Sequence, residues 1–476
     1  MSLLEGDESP MRAQAGNDGL LAEIQAFCRA QAMAETTFGR AAINDGKLVS
    51  RLRDGGRITT QTLERLRGFM SRAGAEPLEL NGAPAVAPSA PPMNASLEAE
   101  GKDPRRNFRF FDNRQKYLLF VNTCSEKWVV ANRVAMELAN IHPHPPAVRV
   151  FDAGIGDGTV LSRVMRAMHH KFPTMPFYIA GKEISLEDVR LALQRMADRF
   201  FEHPATALVL TNLAYAEAPW LAVQSLSAAS SLIWHELRLM GNSSHEFEEQ
   251  ISELEPFLSK NWKAGVSPRS GNPVYERPVV LVIYREDHRF LLDSVIPKPG
   301  GTRADFDLVV ASQPYRARAP LEFKASRVIA PLARALGPGG RLIGIHSHGE
   351  DPGAEIVQSI WRGDNPFTTN RHDLLKLVKS ELGAAGRVLN FNAYSDERAM
   401  FRYHMHTLPS EVAGSIGTST LFAAWNAAIY VSQVEDDRLT QIVAANDYLG
   451  ATAEVLRKHG GLWFNDESFV ISRRRD

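Results

Sequence analysis

The order of apolar and polar positions divides the chain into a short helical stretch, a gap without period, and a long succession of strands and helices. From Leu20 onward apolar residues recur at helical spacing. Leu21, Ile24, Phe27 and Cys28 mark a first helix, and Phe38, Ala41 and Ala42 a short second one. Asn44-Asp45-Gly46 is a turn signal. Lys47–Arg53 follows as a third helix ending at Gly55-Gly56, and a fourth begins near Thr60 with Leu63, Leu66, Phe69 and Met70 on its apolar side. Residues 1–18 are polar and acidic without any period, which predicts disorder, so the helical domain spans 19–72. Residues 73–104 carry Pro77, Pro84, Pro88, Pro91, Pro92 and Pro104 among alanines and glycines, the composition of a linker.

Beyond the linker, helices are predicted over Arg109–Asn140, stopped by His142-Pro-His-Pro-Pro146. The β-branched and aromatic run Val148, Val150, Phe151 then predicts a buried strand. Glycines break it at once, and a helix opens at Thr159 with Leu161, Val164, Met165 and Met168 on one face. Further strands are predicted at Phe177–Gly181, Ala207–Thr211, Phe306–Ala311 and Arg341–Ile345, with a closing antiparallel hairpin from Val388–Tyr394 and Met400–Leu408. Strands alternating with helices over 105–408 predict an α/β doubly wound sheet. An insertion at 219–302 is expected to hold helices near Leu221–Met240 and Phe247–Trp262 and a hairpin-like pair, Val279–Tyr284 with Phe290–Val295. Residues 409–476 form a C-terminal extension, with helices at Leu421–Val431 and Leu439–Leu456 and a strand-like end at Leu462–Ile471. Val412–Val434 is uncharged and long enough to span a bilayer, but its glycines, hydroxyls, Asn426 and Gln433 point to a buried helix and no membrane.

Composition changes this picture little. The chain has 476 residues, 44% hydrophobic and 23% charged, with a net charge of −1, ordinary globular values that exclude a wholesale nucleic-acid coat protein. Two cysteines, Cys28 and Cys124, can build neither a disulfide framework nor a CxxC metal site, which with the absence of a signal-peptide pattern predicts a cytoplasmic protein. His142 and His144 sit among prolines in a rigid turn, and no metal is expected.

The candidate chemistry lies in Asp152-Ala-Gly154-Ile-Gly156-Asp-Gly158, between a strand and a helix, where a backbone can approach a ligand at unpaired helix N-terminal amides. A dinucleotide fingerprint needs its third glycine one residue later. The D-x-G-x-G-x-G pattern instead resembles the S-adenosylmethionine (SAM) loop of class I methyltransferases. The resemblance covers about Arg105–Leu408, including the Leu336-Gly-Pro-Gly-Gly340 turn before the fifth strand. It implies the seven-stranded methyltransferase sheet and SAM as cofactor, held by Asp152, Gly154, Gly156, Gly158, by Glu183 as the ribose-binding acid after the second strand, and by Asn212 and Leu213 near the adenine. Ser312-Gln313-Pro314-Tyr315 stands where amino-methyltransferases carry an Asn/Asp/Ser-Pro-Pro-aromatic substrate motif, with Gln313 replacing the first proline. That implies an N-methyltransferase acting by in-line displacement on a small molecule, protein or nucleic acid. Tyr315, and His346 at the end of the fifth strand, are the catalytic candidates. His404 and His406 alternate with Tyr403 and Met405 and should share the wetter strand face. A Pro-Cys nucleophile is excluded, since Phe27 and Thr123 precede the cysteines.

The N-terminal helices resemble a helix-turn-helix domain of the lambda-repressor type. Between Leu20 and Arg72, nine basic residues stand against five acidic ones, and Lys47, Ser50, Arg51 and Arg53 would lie on the recognition helix, facing DNA. The resemblance therefore leaves a second reading, a DNA-binding regulator whose SAM-binding domain does not catalyse, and a third, a nucleic-acid methyltransferase targeted by that domain.

Overall fold

The computed structural model describes residues 9–30, 33–43, 45–53, 58, 60–73, 114–267, 272–407, 412, 416–436, 438–439, 442 and 448–475. It divides into two compact units, Met1–Ala99 and Glu100–Asp476. The proposed linker after Ala73 lies outside the described residues.

In the first unit four helices run α1 (Ser9–Ala30), α2 (Glu35–Ile43), α3 (Leu48–Arg53) and α4 (Thr60–Ala73). Helix α1 therefore starts within the stretch expected to be disordered. Leu20, Ile24, Cys28, Phe38, Leu48, Val49, Leu52 and Leu66 form the core, with Phe27, Phe38 and Phe69 meeting edge to face at 5.7–6.0 Å. Gly39 is required by close approach, because a Cβ there would lie 2.3 Å from the Asp45 carbonyl.

The second unit is built on one ten-stranded sheet rather than seven strands. Its strands are β1 (Val148–Asp152), β2 (Phe177–Lys182), β3 (Thr206–Thr211), β4 (Ile233–Leu239), β7 (Val279–Arg285), β8 (Phe306–Ser312), β9 (Leu336–Ser347), β10 (Leu389–Asn392), β11 (Met400–His404) and β12 (Trp463–Arg473). The spatial order is β10-β12-β9-β8-β1-β2-β3-β7-β4, with β11 also on β12; β5 (Ala264–Val266) and β6 (Pro273–Tyr275) make a separate ribbon. β1, β2, β3, β8 and β9 are mutually parallel. The chain leaves β1 toward β2 on one side and returns through β8 on the other, so the topological switch lies between β1 and β8, where α/β sheets open a crevice.

Alternation sets the layers. Val148 and Val150 face one apolar cluster and Phe151 the other, each with no exposed surface, as expected of a strand covered on both faces. Burial of such a side chain stabilises by about 1.5–3 kcal/mol. Helices α5 (Arg114–Thr123) and α6 (Glu126–Glu137) precede β1, and α7 (Thr159–Lys171) follows the glycine turn. On α7, Leu161, Val164, Met165 and Met168 are buried, as their spacing predicts. Helix α8 (Leu186–Gln194) begins at Ser185, whose hydroxyl accepts from the Asp188 amide.

Three expectations are corrected. Leu221–Met240 is not a helix. It holds a four-residue turn of helix, Leu226–Ala229, and then β4, where Ile233 and Trp234 have the β-branched and aromatic character of a strand. Val279–Tyr284 is a strand, but it joins the main sheet between β3 and β4, while Phe290 lies in the short helix Arg289–Leu292 instead of a hairpin partner. The predicted terminal hairpin is also absent. β10 and β11 both pair with β12, which itself pairs antiparallel with β9. Residues 463–473 thus lie inside the sheet, between β9 and β10, and not in an appendage.

The helix Thr418–Val431 is buried from Ala423 to Val431 among α5 and the helices Pro352–Ile360 and Tyr448–His459. No helix of the described residues is long and apolar enough to cross a membrane.

Candidate functional site

The C-terminal ends of β1, β2, β3 and β8 open into a cavity of about 970 Å³. Asp152, Gly154 and Gly156 line it from the turn after β1, and Glu183 and Ser185 from the end of β2. Asp152 accepts from the Gly154 amide at 3.1 Å, folding the strand end over. Glu183 Oε2 accepts from the Gly156 amide at 2.9 Å, while Oε1 accepts from the amides of Ile184 and Ser185 at 2.8 and 2.9 Å. One carboxylate therefore ties two strand ends together. Burial pushes Asp152 up to about 6 against the hydrogen bond from Gly154, with the charge of Glu183 adding to the rise. Burial likewise raises Glu183, with Asp188 adding to it.

The three glycines serve different needs. Gly156 and Gly158 have φ of +55° and +77°, which L side chains avoid. A Cβ on Gly158 would also lie 2.7 Å from Ala192 Cα, whereas one on Gly154 meets nothing within 4 Å and would project into free space. Gly158 does not line the cavity; it lets α7 approach α8. Asp157, between them, accepts from Thr159 and pairs with Arg195 at 3.2 Å.

Asn212 and Leu213 line the cavity too, but the Asn212 amide is committed: Nδ2 donates to the Arg277 carbonyl and Oδ1 accepts from the Val279 amide, both at 2.8 Å. Its side chain secures β7 beside β3. Beyond it, Tyr215 donates to the Pro314 carbonyl at 2.6 Å, with Lys182 Nζ 4.8 Å above its ring.

All of Ser312, Gln313, Pro314 and Tyr315 line the cavity. Gln313 holds a left-handed φ of +47°, and its amide donates to Ser347 at 3.1 Å and to Asp466 at 3.3 Å. Such strain persists only where the surroundings impose it. Among the four, Ser312 carries the one polar side chain that no described protein group engages. Tyr315 turns its hydroxyl to His346 Nδ1 at 2.5 Å, and His346 Nε2 meets Glu467 Oε1 at 2.7 Å. Arg371 completes the row, donating to Glu467 from its backbone amide at 2.7 Å and its guanidinium at 2.6 Å. Burial alone would raise Glu467, but hydrogen bonds from His346, His348 and Arg371 hold it well below the usual carboxylate range. Burial lowers His346. The consistent state is an ionised Glu467 and a neutral imidazole that donates from Nε2 and accepts the Tyr315 phenol at Nδ1. His346 is 4% exposed and lies outside the lining of the cavity, so it acts behind Tyr315 and touches no ligand space itself. His404 and His406 are exposed and Tyr403 and Met405 buried, as their alternation predicts.

The roof comes from three separate parts of the chain. Tyr117 and Phe120 of α5, Tyr403 of β11 and Tyr430 of the helix Thr418–Val431 form an aromatic wall, with Phe120 and Tyr430 centroids 4.7 Å apart. Below it Glu126 and Lys127 face the cavity 3.4 Å from each other. Gln433, left-handed at φ +51°, accepts from the Ala317 amide at 3.0 Å and joins that helix to the Ser312–Tyr315 loop. Among the described residues no cluster could hold a metal ion, and both cysteines are free and buried.

In the first unit Lys47, Ser50, Arg51 and Arg53 are exposed on or beside α3. Two of the three cations are already engaged: Arg53 Nη2 donates to both carboxylate oxygens of Glu35 at 3.0 and 2.9 Å, and Arg51 meets Asp45 at 2.7 Å.

No protein-family model and no curated protein matches the sequence. Solved structures with partial likeness include a geranyl diphosphate methyltransferase in complex with GPP and sinefungin, at TM-score 0.28 and 11% identity over 72% of this chain and 78% of that one. The [4+2]-cyclase SpnF gives 0.25 and 14% over 79% and 86%. PKMT2 from Rickettsia typhi in complex with AdoHcy gives 0.24 and 12% over 73% and 53%.

Proposed function

We propose that the chain is a SAM-dependent methyltransferase whose cofactor lies along the ends of β1 and β2 and whose acceptor enters under the aromatic roof. The observation that carries the reading is Glu183, held at the end of β2 against the Gly156 amide and facing the cavity. The residues present suit the cofactor. With three of its roughly four acceptor sites taken by backbone amides, the carboxylate keeps room on Oε2 to accept from a ribose hydroxyl. The open space over Gly154 admits a ligand against the backbone, and two carboxylates raised by burial gain from a cationic sulfonium nearby. SAM supplies an electrophilic methyl group. The protein's part is alignment, worth about 7–11 kcal/mol in favourable cases.

The predominantly apolar walls, closed on one side by the aromatic roof, favour a small acceptor of partly apolar character over a polymer. Within the Ser312–Tyr315 loop, Ser312 is the polar side chain left to orient it, with the Tyr315 ring fixed beside it through His346 and Glu467. Residues 19–72 would act as a tethered helical module. Labelled SAM incubated with cell extract, then divided into small molecules, protein and nucleic acid, tests the reading. Label in the small-molecule fraction supports it; label in nucleic acid favours a DNA-targeted enzyme. SAM binding without transfer favours a non-catalytic regulator, and no SAM binding overturns the proposal.

A further inference from the structure

The sheet ends at β4 (Ile233–Leu239), which pairs with β7 and with no other described strand. The Ile233 amide donates to the Pro278 carbonyl at 2.9 Å. By strand alternation the backbone groups of Ile233, His235, Leu237 and Leu239 therefore turn toward β7, and those of Trp234, Glu236 and Arg238 turn outward. An open edge of this length is a template for another strand. It stops sharply, because Gln250 takes both the amide and the carbonyl of Met240 at 2.8 Å.

We propose that β4 pairs antiparallel with β4 of a second copy of this chain, the two-fold axis passing through Leu237. Residues opposite each other in an antiparallel pair share a face, so the axis must pass through a residue. Centred on Glu236 or Arg238, the pairing sets like charges against each other. Centred on His235, it sets Glu236 against Trp234 and leaves Arg238 without an acid. Centred on Leu237, it sets Glu236 against Arg238 of the second copy twice, and just past the paired backbone it brings the Trp234 side chain beside that of Met240 twice, a favourable aromatic–sulfur match. On the other face Leu237 meets itself and His235 meets Leu239 twice, within the bounds of β4. The side chains are placed to do this: Glu236 and Arg238 are exposed and Met240 is 60% exposed. Within its own chain Arg238 stands 3.9 Å from Glu236 and 3.9 Å from Glu286, the outer limit of an ion pair, and Glu236 accepts from Tyr284 at 3.3 Å. In a defined register, the occupant that this edge complements by charge is the same edge of a second copy.

Sedimentation velocity of the full chain at low salt, over rising micromolar concentrations, tests the pairing. The expected result is a monomer–dimer equilibrium. Glu236→Arg and Arg238→Glu should each weaken it by about tenfold or more, since two opposite-charge pairs become like-charge pairs. Mixing the two single variants should restore a dimer, because opposite charges then face each other again at both paired positions. The chain carrying both substitutions should also dimerise. A wild type that stays monomeric overturns the proposal. So do single variants that dimerise undiminished, which would place the contact elsewhere, or variants that remain monomeric when mixed.

Discussion

The carboxylate of Glu183 and the amide of Gly156 are joined at 2.9 Å, so the end of β2 and the turn after β1 form one rigid wall of the cavity. Replacing Glu183 with Ala should weaken SAM binding by about 1.5–3 kcal/mol, because charged hydrogen bonds are lost. Calorimetric titration checks this, and an unchanged affinity would remove Glu183 from the cofactor site.

The glycines of the turn should separate binding from folding. Gly154→Val adds a side chain in open space on the cavity side, so it should abolish SAM binding with little change in Tm. Gly158→Ala forces an L residue to φ +77° and a Cβ to 2.7 Å from Ala192, so it should lower Tm. Thermal melts beside titrations of both variants decide the matter; a Gly154→Val protein that binds SAM normally would place the cofactor elsewhere.

Binding should depend on pH with a definite sign. Asp152 sits at about 6, and a cationic sulfonium favours its ionised form. SAM affinity should therefore climb as pH rises through about 6 and level off above it. S-adenosylhomocysteine, which lacks the positive sulfur, should show a smaller rise. A flat SAM profile would count against Asp152 as a cofactor neighbour.

Glu467 has no exposed surface, and among the donors that keep it ionised, His346, His348 and Arg371, Arg371 is the permanent cation. Arg371→Met should cost about 3–5 kcal/mol, the penalty of leaving a buried charge unpaired. Since the folded state holds Glu467 below its ordinary value of 4.5, its contribution to stability is complete above that pH and is lost as pH falls toward the depressed value. Denaturant titrations at neutral and acid pH should show the wild type losing stability on acidification more steeply than Glu467→Gln.

Tyr315→Phe removes the phenol that satisfies His346 Nδ1, at a cost of about 1–3 kcal/mol in stability. With the ring no longer anchored, kcat should fall while SAM affinity stays constant. Equal loss of cofactor affinity would assign Tyr315 to the cofactor and not to acceptor positioning.

What can be read from the chain alone is what short-range physics decides. The run Val148, Val150 and Phe151 before closely spaced glycines specifies a buried strand, a turn and a helix, because each of those preferences acts within a few residues. The acid after the second strand is legible for the same reason, since it follows from one strand–helix unit. Helix Thr418–Val431 was likewise evident from its uncharged, polar-flecked run. Long-range pairing is not written locally. β12 enters the sheet between β9 and β10 from the far end of the chain, and nothing in Trp463–Arg473 names its neighbours. Only that insertion brings Glu467 to His346 and Arg371, and so anchors Tyr315. In the same way β7 settles between β3 and β4 and takes over the Asn212 amide, a role its position after β3 does not announce. A strand's hydrophobic pattern determines that it must be covered; which strand lies beside it depends on the summed packing of the whole sheet, and that sum exists only in the folded molecule.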